Sequence, residues 1–393
     1  MTSFRARALT ALTTAVVLLG GQAARAQDTV RIGFVGPYTG PFAVAGQSFK
    51  QGAEAWMALH GDKVGGKKVE VIYRDSGGAD PTLAKRLAEE LVVKDKVRML
   101  AGFYLTPEVA AAAPIATQGK VPLFIVNAAT PSLIKLSPMF VRVCQMINQP
   151  AELAATYGRD NGKSRGYVAV ADYAPGHIVE KAFMAKFEQL GGKMVGNVRI
   201  PLNTTDFAPI AERIAEANPD LLEIFLPPGA VSVGFSKALA ARGLTKKVMI
   251  IGQGEAEDSD LHLFDDTIVG FKSIIYIDAN ADNPENKAFA DFLKKTYGPD
   301  ARPNSFNIGA YDAMQLAYKM IADSADRPWD PEAAVKSTAG YTFKSPRGSV
   351  TIDRQTRALV QNFYLREVVK GPDGVKRNQV VKTWEQVTPT AFD

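Results

Sequence analysis

RIGFVGPYTGPFAVAGQSFKQGAEAW, residues 31–56, joins a strand-like run to an amphipathic stretch through a loop rich in glycine and proline. Its first four glycines, at Gly33, Gly36, Gly40 and Gly46, fit neither G-x-G-x-x-G nor G-x-x-x-x-G-K-S/T. Two prolines in the same loop lack the backbone N–H groups that a bound phosphate would need. The stretch therefore disfavours a nucleotide-binding loop and favours a strand–loop–helix unit with another role.

This strand–loop–helix unit repeats along the chain. Strands are predicted over 67–75, 97–103, 121–128, 165–172, 220–227 and 246–254, and helices over 82–95, 107–119, 177–190 and 231–242. Continuous apolar strands that alternate with helices are typical of parallel sheets covered on both faces. The roughly 370 residues that would follow a cleaved leader are too many for one ordinary core. We therefore expect an α/β protein with two doubly wound parallel-sheet lobes.

Residues 1–26 have the pattern of a secretory signal peptide. Arg5 and Arg7 precede a short apolar run, and Ala24-Arg25-Ala26 forms an A-x-A cleavage signature. The apolar run is shorter than the roughly 20 residues that a bilayer-spanning helix needs. We therefore predict cleavage, a mature chain that begins near Gln27, and export from the cytoplasm.

Charge, cysteine and histidine content exclude several classes of function. The net charge of +5 would fall to +2 once the leader and its three arginines are removed, and no cluster of basic and aromatic residues suggests nucleic acid as a partner. Cys144 is the only cysteine, so no intramolecular disulfide is expected. The three histidines lie far apart without H-x-x-x-H spacing, and the sequence predicts neither a metal site nor a cofactor.

One stretch is weakly similar to a hydrolase motif. AVSVG, residues 230–234, places Ser232 where G-x-S-x-G enzymes have their nucleophile, but Ala230 replaces the first glycine. A double proline precedes the stretch, and only His262 follows it as a candidate base. We favour Ser232 as a polar residue in the first turn of a helix, with a secreted α/β hydrolase as the alternative from a different class.

Loops at the carboxyl ends of parallel strands are the usual ligand sites of such sheets. Here GFYLTPEV supplies Phe103, Tyr104 and Thr106 just before a helix, and VNAATPSL supplies Thr130 before another turn. Small residues let the backbone approach a ligand, and the start of a helix offers N–H groups to an anion. The alternative is that Thr106 and Thr130 only cap their own helices.

The segments RIGFVGPYTGPFAVAGQSFKQGAEAW, VNAATPSL and FNIGAYDAMQLA resemble the leucine/isoleucine/valine-type periplasmic solute-binding proteins of ABC importers, and the similarity covers essentially the whole mature chain. The resemblance implies a non-enzymatic, monomeric periplasmic receptor that delivers a small carboxylate to a membrane permease and its ATPase. It also implies two lobes that close about a hinge of three crossing segments. The expected crossings lie near 144–150, 274–280 and 353–358, and the expected lobes are 27–146 plus 279–354 and 147–278 plus 355–393.

In this family the ligand carboxylate meets loops that match Leu105-Thr106 and Ala128 to Thr130 here. The resemblance therefore implies a cleft lined by Phe42, Phe103, Tyr104, Leu105, Thr106, Ala128, Ala129, Thr130, Tyr173, Pro175, Pro228, Gly254 and Phe306.

The sequence departs from the family's amino-acid binders in the second lobe. Pro175 and Pro228 stand near positions where those proteins have tyrosines, and the acid that holds the ammonium group in them falls near Gly254-Glu255. Only Glu255 remains nearby. Because an unpaired ammonium in a closed cleft is costly, we expect an aromatic or hydrophobic acid first and a branched-chain amino acid second.

Overall fold

The computed structural model describes residues 29–78 and 80–389, and the predicted signal peptide lies outside them. The first part of the chain forms a sheet of six strands in the order β2-β3-β1-β4-β5-β6, parallel except for the antiparallel pair β2–β3. Its strands and helices are β1 Thr29–Gly36, α1 Ala43–His60, β2 Lys63–Val64, β3 Lys67–Asp75, α2 Pro81–Val93, β4 Met99–Gly102, α3 Thr106–Gln118, β5 Leu123–Ile125 and β6 Phe140–Arg142.

The middle of the chain builds a second sheet. Its elements are α4 Asn148–Asp160, β7 Arg165–Ala171, α5 Ala174–Gln189, β8 Lys193–Ile200, α6 Ala208–Ala217, β9 Leu221–Phe225, α7 Ala230–Ala241, α8 Leu244–Lys247, β10 Met249–Gly252 and β11 Lys272–Ile275. The strands lie parallel in the order β11-β10-β9-β7-β8. This is a second parallel sheet whose strands are separated by helices, as the alternation of strands and helices in the sequence predicts.

The chain then returns to the first sheet and ends on the second. The remaining elements are α9 Pro284–Tyr297, α10 Ser305–Asp323, α11 Pro331–Ser337, β12 Thr342–Ser345, β13 Gly348–Ile352, β14 Leu359–Lys370 and β15 Lys376–Val387. Helix α10 packs against α1, whereas β14 pairs antiparallel with β11 and carries β13 and β15. The predicted crossings near 144–150, 274–280 and 353–358 overlap the stretches between β6 and α4, between β11 and α9, and between β13 and β14, although residues 148–150 lie in α4 and residues 274–275 in β11. The predicted fold, α/β with two lobes, is confirmed.

The contact between α1 and α10 places the start of α10 beside the loop that follows β4. Phe49 and Ala53 form the buried face of α1, with Trp56 one turn further on. The two helix backbones approach so closely that a Cβ atom on Gly52 would lie 2.0 Å from the carbonyl oxygen of Asn307. This close approach fixes where the first turn of α10 stands.

Some predicted boundaries were wrong. The strand predicted over 121–128 is limited to β5, because the chain turns into a loop after Ile125. The strand predicted over 246–254 is shortened to β10, because Lys246 and Lys247 belong to the short helix α8. Strand β8 and helix α6 were not predicted. Among the described residues, no helix is long and apolar enough to cross a bilayer.

Candidate ligand-binding site

The loops that follow β4 and β5 lie side by side because these strands are neighbours in the first sheet. The hydroxyl oxygens of Thr106 and Thr130 are 2.7 Å apart and share a hydrogen bond. Neither hydroxyl caps a helix: Leu105 is the N-cap of α3, and the side chain of Thr130 makes no cap bond to the short 3-10 helix that follows it. The pair therefore forms one polar point between two loops, which the capping alternative does not explain.

Glu108 holds the loop after β4 in place. Its Oε2 accepts the backbone N–H groups of Tyr104, at 2.9 Å, and Leu105, at 2.8 Å. Asn127 Nδ2 donates to the carbonyl of Tyr104 at 2.8 Å, which ties this loop to the loop after β5. Burial raises the pKa of Glu108. Sequence reasoning missed Glu108, although an acid in the first turn of a helix is a known capping signal.

Arg142 holds the loop after β5. Its Nη1 donates to the carbonyl of Ala128, its Nη2 donates to the carbonyl of Thr130 at 2.6 Å, and the N–H of Ile147 donates to the carbonyl of Ala129 at 3.0 Å. Within the described chain, the N–H groups of Ala128, Ala129 and Thr130 donate to no protein acceptor. Successive free N–H groups beside two hydroxyls are suited to an anion. Arg142 was also missed.

Three of the predicted aromatic residues form one wall beside these loops. The ring centroids of Phe42 and Tyr104 are 5.0 Å apart, and those of Tyr104 and Phe306 are 5.9 Å apart. Burial raises the pKa of Tyr104 to about 12, so this ring is neutral at physiological pH. Phe103 does not join the wall: it has a φ of 59° and a side chain fully buried in the core.

The second lobe contributes Tyr173, whose ring stacks on Phe225 with centroids 6.0 Å apart and planes inclined by 10°. Burial raises the pKa of Tyr173, and the proximity of Tyr104 and Glu255 raises it further. Tyr104 and Tyr173, which belong to different lobes, are therefore within electrostatic range of each other. Pro175, in the first turn of α5, is half-buried, and Pro228 is exposed after β9.

Glu255 is turned towards the backbone of its own lobe. Oε1 accepts the N–H of Leu226 at 3.0 Å, while Oε2 accepts those of Gln253 at 2.6 Å and Gly254 at 3.1 Å. Gly254 itself has a φ of 132°, a conformation that favours glycine. Burial raises the pKa of Glu255 to about 7 although these bonds lower it. Both carboxylate oxygens are thus already used as acceptors.

A second acid joins the two lobes directly. Glu257 Oε1 accepts the hydroxyl of Ser305 at 2.7 Å, and Oε2 accepts the N–H of the same residue at 3.3 Å. Tyr276, in the second crossing, donates its hydroxyl to the carbonyl of Ser305 at 3.3 Å. Burial raises the pKa of Glu257 to about 7, whereas nearby Arg366 lowers it. Sequence reasoning did not single out this contact.

The groups considered for catalysis are used structurally. The hydroxyl of Ser232 is buried and donates to the carbonyl of Pro227 at 2.7 Å, and no described histidine or acid is bonded to it. His262 is bonded to the carbonyl of Ser259 instead. Over 29–78 and 80–389 there is no group of three His, Cys, Asp or Glu side chains that could hold a metal ion.

The two α/β lobes, the three crossings and the loops between the lobes have a counterpart among known proteins. The family profile described as "Periplasmic binding protein" matches residues 29–373. The chain belongs to the periplasmic binding protein family. Its members are binding proteins, and the resemblance seen in the sequence is confirmed.

Individual members of the periplasmic binding protein family are similar over nearly their whole length. The Leu/Ile/Val-binding protein homolog 6 of Brucella melitensis is 41% identical over 381 residues, which cover 96% of this chain and 97% of the relative. A solute-binding protein of an ABC transporter from Rhodopseudomonas palustris HaA2, solved with p-hydroxybenzoic acid, has 40% identity and a TM-score of 0.86, covering 91% of this chain and 98% of that one. Its counterpart from strain BisB5, solved with 3,4-dihydroxybenzoic acid, has 34% identity and a TM-score of 0.85, covering 92% and 98%.

Proposed function

We propose that this protein is the periplasmic receptor of an ABC importer and captures a small aromatic carboxylate between its lobes. The observation that carries the proposal is the polar point formed by Thr106, Thr130 and the free N–H groups of residues 128–130, next to an aromatic wall. A hydroxyl pair and several N–H groups can satisfy both oxygens of a carboxylate. The neighbouring rings suit a flat apolar body.

The far end of this cleft also suits an aromatic acid. Tyr104 and Tyr173 belong to different lobes and are within electrostatic range of each other, and each carries a neutral hydroxyl that can donate or accept a hydrogen bond. A ring hydroxyl opposite the carboxylate would find partners there. The p-hydroxybenzoic and 3,4-dihydroxybenzoic acids bound by the two Rhodopseudomonas proteins have this pattern of groups.

The second candidate is a branched-chain amino acid, which the name of the Brucella relative favours. Its ammonium group would need an acceptor in the second lobe. Glu255 is the nearest acid to the predicted position, and both its oxygens already accept backbone N–H bonds. Oε1 accepts one such bond and Oε2 two, so the remaining acceptor capacity of Glu255 lies mainly on Oε1. An ammonium that does not reach this oxygen remains unpaired in a closed site, which is costly. We therefore place this candidate second.

The remaining features of the proposal follow from the family. We propose that residues 1–26 are removed on export, that the mature receptor is a monomer in the periplasm, and that it delivers its ligand to a permease and ATPase at the inner membrane without catalysing a reaction. We also propose lobes of residues 27–146 plus 279–354 and 147–278 plus 355–393. Pro175, Pro228 and Gly254 are proposed to line the second lobe's side of the cleft.

Calorimetry on the purified mature protein tests the ligand class. We expect 4-hydroxybenzoate and benzoate to bind at least one to two decades more tightly than leucine, because the missing charge-assisted bond to the ammonium is worth roughly 1.5–3 kcal/mol. Thermal shift gives an independent readout, since a ligand at 100 times its Kd adds about 2.7 kcal/mol of stability. Micromolar leucine binding that disappears in Glu255→Gln would contradict the proposal and favour the amino-acid candidate.

A further inference from the structure

Arg142 is a buried residue directly behind the proposed carboxylate site. It ends β6, its side chain has 0% exposure, and its two terminal nitrogens donate to the carbonyls of Ala128 and Thr130. In a trans peptide the C=O and the following N–H point in opposite directions. With the carbonyl of Ala128 directed to the guanidinium, the N–H of Ala129 points away from it, to the opposite side of the loop.

The guanidinium of Arg142 has no counter-ion within the described part of the chain: no carboxylate oxygen lies within 4.0 Å of it, and its Nε has no hydrogen-bond partner. Arg347 provides the contrast. It is equally buried, but its Nη2 lies 2.8 Å from Asp312 Oδ2 and its Nη1 donates to Gln361. A fully buried charge is costly unless an opposite charge accompanies it. Asp312 supplies the opposite charge for Arg347, whereas no described side chain supplies one for Arg142.

We propose that the ligand's carboxylate is the counter-ion of Arg142, and that this residue therefore makes the site select anions over neutral molecules of the same shape. This inference rests on the proposed function. Arg142 does not need to touch the ligand: it fixes the loop 128–130 whose N–H groups would bind the carboxylate, and it supplies a positive charge behind that loop. When the lobes close and exclude water, this charge is screened less than in solution. A neutral amide ligand could form hydrogen bonds with the loop, but it would not be attracted by the charge of Arg142.

The test compares benzoate with benzamide, which differ little in shape but by one full charge. Calorimetry gives the ratio of the two dissociation constants for the wild type, Arg142→Met, Arg142→Lys and, as the matched control, Arg165→Met. We expect Arg142→Met to reduce the preference for benzoate by about tenfold or more. Arg142→Lys should keep most of the preference, while binding both compounds more weakly because lysine cannot donate to both carbonyls in a fixed fork. Arg165→Met should leave the ratio within about threefold of the wild type, because its guanidinium also donates to two backbone carbonyls, those of Ala217 and Asn218, but lies on β7 of the second sheet.

A measurement on the wild type alone covers the case in which Arg142→Met does not fold. Benzoate labelled with carbon-13 at the carboxyl group reports its ionisation through its chemical shift. We expect the bound carboxyl group to remain ionised to a lower pH than free benzoate, because a buried positive charge favours the anion. A bound carboxyl group that becomes protonated at a higher pH than free benzoate would overturn the inference.

The possible results of these experiments distinguish a failure of the inference about Arg142 from a failure of the proposed function. If the wild type binds no aromatic carboxylate, both are overturned. If it binds benzoate and the ratio is unchanged in a folded Arg142→Met variant, only the inference about Arg142 is overturned. A fall in affinity that is equal for benzoate and benzamide has the same consequence, since a purely structural residue would weaken both alike.

Discussion

The hydroxyl of Thr130 can stabilise a helix or bind a ligand, and its bonds in this structure separate these roles. It makes no cap bond and shares a hydrogen bond with Thr106, which is the first residue of a different helix, α3. A polar pair that links two loops at strand ends contributes less to local helix formation than to the shape of the site between them. The residue is therefore a direct test of the carboxylate site.

We predict that Thr130→Val weakens ligand binding by about 1–3 kcal/mol and changes the melting temperature of the free protein little, because a bond to a charged group is lost while the side-chain volume is kept. Calorimetry and thermal melting measure the two effects. Thr156→Val is the matched control, since its hydroxyl bonds only to the carbonyl of Glu152 within α4. A lower melting temperature with unchanged affinity in Thr130→Val would mean that Thr130 has a structural role only.

At the scale of elements, the contact between α1 and α10 determines where Phe306 stands in the aromatic wall. A methyl group at Gly52 would meet the carbonyl oxygen of Asn307 at 2.0 Å and the Cβ of Ala310 at 3.0 Å. The first of these is backbone, which cannot move without shifting the helix. Stability and ligand affinity are thus linked through one glycine.

We predict that Gly52→Ala lowers the free energy of unfolding by about 1–3 kcal/mol through overpacking and also weakens ligand binding. Urea unfolding and calorimetry measure these quantities. Val44→Ala, at a position of α1 that is 71% exposed, should change stability by less than about 0.5 kcal/mol. A stabilised Gly52→Ala variant would show that intrinsic helix propensity, which favours alanine over glycine by about 1 kcal/mol, outweighs the contact.

Most of the elements could be predicted from the sequence because hydrophobic periodicity is a local property. The loops with Thr106 and Thr130 could also be predicted, since parallel strands bring their carboxyl ends to one edge. Residues such as Arg142 and Glu257 could not, because their partners are distant in the sequence and depend on the packing of whole elements. The sequence predicted Phe103 in the cleft because its neighbours are there. In the structure its backbone has a φ of 59° and its side chain is buried in the core.

For the whole molecule, the bond between Glu257 and Ser305 couples the arrangement of the lobes to protonation. Burial raises the pKa of Glu257 from 4.5 to about 7, with Arg366 acting in the opposite direction and Asp260 adding to the rise. An acid with a raised pKa binds its proton more tightly in the native state than in the unfolded state. Its contribution to stability therefore decreases as the pH rises from about 4.5 to about 7.

We predict that the wild type loses stability relative to Glu257→Gln over this pH range, by up to about 3 kcal/mol, because the glutamine keeps an acceptor for Ser305 but does not titrate. Unfolding free energies measured from pH 4.5 to 8 for both proteins give the difference, and it should level off above pH 7.5. Other buried acids titrate in both proteins, so their contributions cancel in the difference between the two unfolding free energies. A difference that does not vary with pH would contradict the prediction.

Cys144 is positioned so that its chemical modification reports when the first crossing opens. The only thiol of the chain lies in the first crossing, 2% exposed, with its sulfur 3.7 Å from Arg142 Nη1 and 3.8 Å from the carbonyl of Ala128. Because the side chain is buried, a thiol reagent can reach it only after the crossing opens, and burial also raises its pKa, which makes the closed state less reactive still. If that opening disrupts the loop 128–130, a ligand at 100 times its Kd should slow modification about 100-fold. An unchanged rate would mean that the crossing opens independently of the ligand site, and Cys144→Ser provides the unlabelled control.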